Sequence, residues 1–200
     1  MIAIVDYDTG NLRSVENALK KLGKDYVVTS DPDVIRSASH VLLPGVGEAS
    51  SAMDKLRERG LDKVIPALTQ PVLGICIGIQ VLCRSSEEND ATCLGVFDSE
   101  IRRFRKEEPK IKIPEMGWNT IFDLGSPLFK GINEGDFVYY VHSYAPTMPQ
   151  DGQTKAIAKT TYGSQTFAAA LNRGNFYGTQ FHPEKSGPVG SRILKNFLDL

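Results

Sequence analysis

The sequence of 200 residues predicts an α/β protein. The expected architecture is a mostly parallel central sheet covered by helices on both faces, with an added antiparallel, strand-rich portion in the second half. Three observations point there. In the first half, short apolar runs alternate with segments of helical periodicity. Those runs are apolar throughout rather than at every second position, so both faces of their strands must be covered. After Arg84 the texture changes to successive strand-like runs separated by turn residues.

Residues 2–5 form the first strand, ending at Asp6. Gly10 and Asn11 punctuate a turn. Leu12, Val15, Leu19 and Leu22 then recur at helical spacing until Gly23 stops the helix. Residues 26–29 form a second strand, closed by Asp31-Pro32, and a short helix covers 34–37. Residues 41–43 form a third strand that runs into Pro44-Gly45-Val46-Gly47. A helix follows over 48–59, with Met53 and Leu56 inward, and another helical stretch over 61–68. Residues 71–75 are a fourth apolar strand, continued by a helix that carries Gln80 and Cys83. The polar stretch 85–95 reads as a loop. Strands are predicted over 95–104, 111–122, 137–145, 156–161 and 166–171. Asn172 to Asn175 read as a hairpin turn with 175–181 as the return strand. A last helix carries Ile193, Leu194, Phe197 and Leu198 on one face. No repeat, linker or low-complexity segment interrupts the chain, so residues 1–200 are expected to form one domain.

Composition excludes several classes. An apolar content of 41% supports a real core, and a formal net charge of −1 gives no broad pull toward nucleic acid or anionic membrane. No apolar run approaches the roughly 18 residues of a membrane span. The first residues, MIAIVDYD, have no basic leader, so no secretory signal is expected. The three cysteines, Cys76, Cys83 and Cys93, are an odd number without metal-ligand spacing. They predict a reducing, cytoplasmic setting, no metal and no organic cofactor.

The chemistry centres on residues 71–84. An apolar strand runs into Gly74-Ile75-Cys76-Ile77-Gly78 and then a helix. That is the form of a nucleophile elbow, better known with serine. The flanking glycines avoid collisions, and the turn residue sits in strained backbone geometry. Such an elbow exposes the sulfur at the carboxyl end of a strand and beside a helix N-terminus, which favours the thiolate. The N–H of Ile77 then points toward any oxyanion formed by attack of Cys76 on a carbonyl. The local pattern also accommodates a buried structural cysteine beside a tight turn.

A cysteine nucleophile needs a base and a group to orient it. His182 follows a strand, and Glu184 stands two residues on in His-Pro-Glu. In extended chain that spacing turns both side chains to one side, with Pro183 limiting the freedom between them. The glycines of residues 44–47 let backbone N–H groups approach a substrate as a second oxyanion donor, or simply turn strand into helix.

Pro-Gly-Val-Gly (44–47), Gly-Ile-Cys-Ile-Gly-Ile-Gln (74–80) and Phe-His-Pro-Glu (181–184), in that order, resemble the triad-type (class I) glutamine amidotransferases, and the likeness covers essentially the whole chain. Asp-Tyr-x-x-Gly-Asn-Leu-x-Ser-Val (6–15), Met-Gly-Trp-Asn (116–119), Tyr-Val-His-Ser-Tyr (140–144) and His-Pro-Glu-Lys-Ser (182–186) are most similar to the glutaminase branch that serves imidazole glycerol phosphate synthases. The resemblance implies the flavodoxin-like glutamine amidotransferase fold. It implies Cys76 as nucleophile, His182 as base and acid, and Glu184 as its orienting partner. Val46 and Gly47 correspond to an oxyanion loop whose peptide flips before its N–H faces the site. Gln80, Glu88, Ser143 and Tyr144 match positions that hold glutamine. Asn11, Trp118 and Lys185 match positions near a cyclase subunit, the implied heterodimer partner. Taken as bare residues, Glu88 reads as solvated, Trp118 as core and Lys185 as a surface charge. Asp8 stands where the family has glycine, Ile77 and Ile79 replace the commoner Leu and Met, and Glu48-Ala49 replaces small-plus-aromatic. The glutaminases of anthranilate, aminodeoxychorismate and GMP systems share the chemistry with another partner. A peptidase-like cysteine hydrolase and an inactive regulatory subunit are further alternatives.

Overall fold

Strand β4 (Val72–Cys76) lies fourth among seven strands, and every residue of it is buried. The computed structural model describes residues 1–9, 12–106 and 111–200. On one side β4 pairs in parallel with β3 (His40–Gly45), β3 with β1 (Ile2–Val5), and β1 with β2 (Tyr26–Thr29) at the edge. On the other side it pairs in parallel with β13 (Phe176–Thr179). β13 continues antiparallel to β12 (Gln165–Arg173), and β12 to β11 (Lys155–Tyr162). Side chains alternate across a strand, so the unbroken burial of β1 and β4 requires cover on both faces, as their apolar runs predict.

The antiparallel half is therefore not a separate addition. Its last hairpin widens the main sheet, and its return strand joins the parallel core. The remainder forms two smaller units. One is a four-stranded sheet of β10 (Tyr144–Pro146), β7 (Glu100–Arg103), β5 (Ser85–Ser86) and β6 (Ala91–Thr92). The other is a ribbon of β8 (Glu115–Thr120) and β9 (Phe137–His142). The polar stretch 85–95 thus contains two short strands and a 3-10 turn, hidden in the sequence because its polar side chains carry no apolar alternation. The single strand expected over 137–145 breaks at Ser143, where the chain leaves the ribbon for the four-stranded sheet.

Six helices complete the described residues. α1 (Leu12–Lys21) buries Val15 and Leu19 and is followed by Gly23 in left-handed geometry. The turn expected at Gly10 and Asn11 lies outside the described residues. α2 (Pro32–Ser37) starts two residues earlier than expected. Asp31 caps it by accepting the Asp33 N–H at 2.8 Å, and Pro32 has no N–H to satisfy there. α3 (Ala49–Glu58) buries Met53 and Leu56. The stretch 61–68 divides into α4 (Leu61–Val64) and a 3-10 turn over Ile65–Ala67, since Pro66 cannot donate to an α-helical ladder. α5 (Ile77–Leu82) follows β4 directly, and α6 (Gly187–Leu198) buries Ile193, Leu194 and Phe197.

α5 comes unusually close to the sheet, and glycine makes the approach possible. A Cβ on Gly78 would lie 1.8 Å from the Leu43 carbonyl oxygen, and one on Gly74 would lie 2.6 Å from the Gly78 carbonyl carbon. Both obstacles are backbone and cannot swing aside. Gly78→Ala is expected to destabilise the fold by at least about 3 kcal/mol, the upper range for overpacking a core. Gly125→Ala, at a glycine whose added Cβ meets nothing within 4 Å, is the control and should stay close to wild type. Urea unfolding midpoints of the two variants check this.

Candidate active site

The elbow is as strained as its sequence implies. Cys76 has φ 55° and ψ −106°, a conformation that side-chain-bearing residues avoid at a cost of about 1–3 kcal/mol. It is held there because Cys76 still pairs with Gly45 of β3 while Ile77 already begins α5. The sulfur ends at the wall of a cavity of about 370 Å³. It stands 4.0 Å from the Val141 carbonyl oxygen and 3.8 Å from Nε2 of Gln180.

Parallel pairing of β13 with β4 brings His182 to the same cavity. Its backbone N–H donates to the Tyr139 carbonyl at 2.9 Å. Its Nδ1 lies 2.7 Å from Glu184 Oε1, with both side chains at most 3% exposed. The two-residue spacing is not spanned by extended chain, as expected, but by a 3-10 turn over Pro183–Lys185. Ser186 pins this turn: its hydroxyl donates to the His182 carbonyl at 2.6 Å and accepts the Tyr139 N–H at 2.9 Å. His182 Nε2 is buried without a hydrogen-bond partner. Burial by itself lowers the proton affinity of His182, but the Cys76 sulfur and the Glu184 carboxylate outweigh it and push the imidazole up to about 10. The sulfur acts here by proximity, since no Nε2–Sγ hydrogen bond closes.

The other expected residues gather around this pair. Val46, Gly47 and Ile77 line the cavity beside the sulfur. Gly47 has φ +96° and open space where a Cβ would stand, so its glycine is required by conformation, not by room. Glu88 lines the cavity too, and its Oε2 caps α3 by accepting the Ala49 N–H at 3.1 Å. Burial raises its pKa, the Ala49 N–H opposes this, and the neighbouring Glu48 adds to it. Ser143 and Tyr144 form another wall, at the break between β9 and β10. Gln80 is there as well, but its amide Nε2 is committed inward, to the Tyr144 carbonyl at 3.1 Å and to Gln180 Oε1 at 3.0 Å.

Trp118 is 55% exposed, against the expectation from residue type alone. It meets Tyr139 edge-on at 5.9 Å, and Lys185 Nζ sits 6.0 Å from the same ring. Met116 and Phe137 on the same ribbon are also exposed. Asn11 lies outside the described residues. Asp8 adopts φ 61°, the region that suits glycine, and is held there by Arg59 and by Lys55 donating to its carbonyl. Among the described residues no group of three or more His, Cys, Asp or Glu can hold a metal, and no helix is long and apolar enough to cross a membrane. Sequence reasoning missed Gln180, Val141 and His142. Each lies in a motif already singled out or beside one, but only the packing gives it a task.

This arrangement holds a thiol, a base oriented by a carboxylate, a helix-start N–H and a carboxylate farther along one cavity. That set can cleave an amide through a covalent thioester. Since its folded value exceeds the ordinary 6.5, the His182 proton contributes stability in full below pH 6.5, and that contribution is lost as pH rises through about 10. Proton NMR titration of the imidazole should show this high midpoint, and Glu184→Gln should lower it.

The glutamine amidotransferase class-I family model matches residues 3–200. The chain is 51% identical over 199 residues to the imidazole glycerol phosphate synthase subunit HisH of Bacteroides fragilis (strain YCH46), covering 100% of this chain and 99% of that protein. It is 46% identical over 201 residues to the subunit of the same name from Escherichia coli (strain K12), again covering 100% and 99%. Among solved structures, a glutamine amidotransferase matches with a TM-score of 0.75 at 18% identity, over 100% of this chain and 98% of that one. One from Thermotoga maritima matches with a TM-score of 0.66 at 17% identity, over 99% and 82%. These two likenesses speak for the fold alone. With an elbow cysteine, a His-Pro-Glu turn and a glycine loop on one cavity, and with relatives this similar along its full length, the chain belongs to the class-I glutamine amidotransferase family, in its HisH branch.

Proposed function

We propose that the chain is the glutaminase subunit of an imidazole glycerol phosphate synthase. In this reading residues 1–200 act as one amidotransferase domain, in the cytoplasm, as a heterodimer with a cyclase subunit. The observation that carries it is the pair Cys76 and His182 at one cavity, with the Glu184 carboxylate 2.7 Å from the imidazole Nδ1, in a chain 51% identical to a HisH subunit.

With the proton of the pair held on His182, the Cys76 thiolate adds to the side-chain amide carbon of glutamine. The carbonyl electrons move to oxygen, where the Ile77 N–H and one from the Val46–Gly47 peptide hold the charge. Gly47 leaves that peptide free to turn toward the site. His182 passes its proton to the departing nitrogen, the C–N bond breaks, and ammonia leaves a glutamyl thioester. His182 then takes a proton from water, the hydroxide adds to the thioester, and the C–S bond breaks to release glutamate. Glu88 pairs with the α-ammonium of glutamine, while Gln80, Ser143 and Tyr144 form the wall against which it lies. Ammonia passes to the cyclase, which uses it on phosphoribulosyl-formimino-AICAR phosphate to make imidazole glycerol phosphate and AICAR, a step of histidine biosynthesis.

The exposed Met116, Trp118 and Phe137 support a partner face on the β8–β9 ribbon, with Lys185 beside it and Asn11 expected there. Tyr139 links that face to the site, since its ring meets Trp118 and its carbonyl accepts the His182 N–H. Docking at the ribbon therefore acts one hydrogen bond from the base.

Cys76→Ala should abolish glutamine-dependent synthesis by the complex and leave ammonia-dependent synthesis intact. Loss of both in the same assay contradicts the reading. Glutamate release should rise when the cyclase and its ligand are added, and a chain that turns over glutamine fully alone speaks against a coupled subunit. Glu88→Gln should raise KM for glutamine by about tenfold to a hundredfold, the worth of one hydrogen bond to a charged group.

A further inference from the structure

Four buried side chains and one carbonyl form a continuous polar line that ends at the sulfur. Glu115 is 3% exposed, His142 6%, Gln80 2% and Gln180 0%. Glu115 Oε2 lies 2.9 Å from His142 Nε2, and His142 Nδ1 lies 2.8 Å from the Tyr144 carbonyl oxygen. That same oxygen accepts from Gln80 Nε2 at 3.1 Å, Gln80 Nε2 donates to Gln180 Oε1 at 3.0 Å, and Gln180 Nε2 stands 3.8 Å from Cys76 Sγ.

The direction of this line follows from donor and acceptor chemistry. A backbone carbonyl only accepts, so Gln80 must turn its NH2 toward Tyr144. The second hydrogen of that NH2 then faces Gln180, which must answer with its carbonyl oxygen. The only remaining face of the Gln180 amide, its NH2, is thereby turned to the sulfur. Flipping either amide would set two donors or two acceptors against each other in a buried space, which costs the full desolvation of both groups. The Tyr144 carbonyl is itself held by His142, whose ring is clamped between Glu115 and that oxygen and packed against Phe104, Tyr140 and Phe167.

We propose that Gln180 is a positioning residue that aims an amide N–H at the Cys76 sulfur and favours its thiolate, its orientation set through Gln80 by the Tyr144 carbonyl. The inference rests on Cys76 being the nucleophile proposed above. It adds a donor on the side of the sulfur away from substrate, since Gln180 is fully buried and does not line the cavity. Val141 offers the opposite preference: its carbonyl oxygen, 4.0 Å from the sulfur, suits the protonated thiol. The other titratable groups around the sulfur are His182 after β13 and Tyr7 after β1, with Glu88 lining the same cavity.

The test is the pH dependence of Cys76 alkylation by iodoacetamide, with Cys76→Ala as blank. Burial pushes Cys83 up, and pushes Cys93 up to about 11, so neither thiol competes near neutral pH. In Gln180→Leu the alkylation profile should move to higher pH, with the rate at pH 7 falling about three- to tenfold, the worth of one ordinary hydrogen bond, since the contact to sulfur is long at 3.8 Å. In the assembled complex kcat for glutamine should fall while KM stays. A Gln180→Leu profile that overlays wild type, with its melting temperature retained, overturns the proposal. A measurement on the unaltered protein guards against a variant that does not fold: the Gln180 side-chain amide resonance should move with the same pH midpoint as alkylation. An amide resonance indifferent to that midpoint overturns it equally. Alkylation needs no glutamine, so failure here is distinct from absence of glutaminase turnover.

Discussion

The contact between Gly78 and the Leu43 carbonyl is the constraint on which the site depends. It lets α5 press onto β3 and β4, and that pressure leaves no room for a relaxed turn between β4 and the helix. Cys76 takes up the difference in its own backbone, at φ 55°. The strain has a use: it lifts the sulfur off the end of the sheet and toward the cavity, with the first N–H of the helix beside it. A wider helix–sheet separation would remove the strain and the aim together.

The second half of the chain then supplies chemistry by extending the same sheet. β13 returns in parallel beside β4, so a histidine more than a hundred residues downstream emerges at the same end as the cysteine. The 3-10 turn after it brings Glu184 back onto Nδ1, and Ser186 ties the turn to β9. The charge of the pair is sustained by geometry rather than by solvent. Burial opposes the imidazolium, and the Cys76 sulfur and the Glu184 carboxylate overcome that opposition. The polar line through Gln80 and Gln180 extends the same logic to the far side of the sulfur. Buried polar groups there have partners whose order leaves little choice of orientation.

The ribbon β8–β9 joins the surface to this interior. Its outward residues, Met116, Trp118 and Phe137, are exposed and apolar, while its inward residues Glu115, Tyr140 and His142 are buried in the network. Alternation along one strand therefore separates what a partner can touch from what the site requires, with Tyr139 belonging to both.

Much of this was legible in the sequence, for local reasons. The apolar runs of β1 and β4, the periodicity of α1 and α6 and the glycines of the elbow are each dictated within a few residues by burial, pitch or steric room. The cysteine, the His-Pro-Glu turn and the glycine loop carry their chemistry in residue type and spacing, so their candidacy needed no coordinates. Tertiary structure decided what depends on which segments meet. The polar stretch 85–95 forms strands only because β7 offers an edge to pair with. Trp118 lies outward because the ribbon's register sets it opposite Tyr139, while Glu115 and Gly117 share the inward face with the buried His142 and Tyr140. Gln180 faces the sulfur because Gln80, a hundred positions away, has no other acceptor for its second hydrogen. Pairing partners and amide orientations are set by contacts across the sheet, and no window of neighbouring residues contains them.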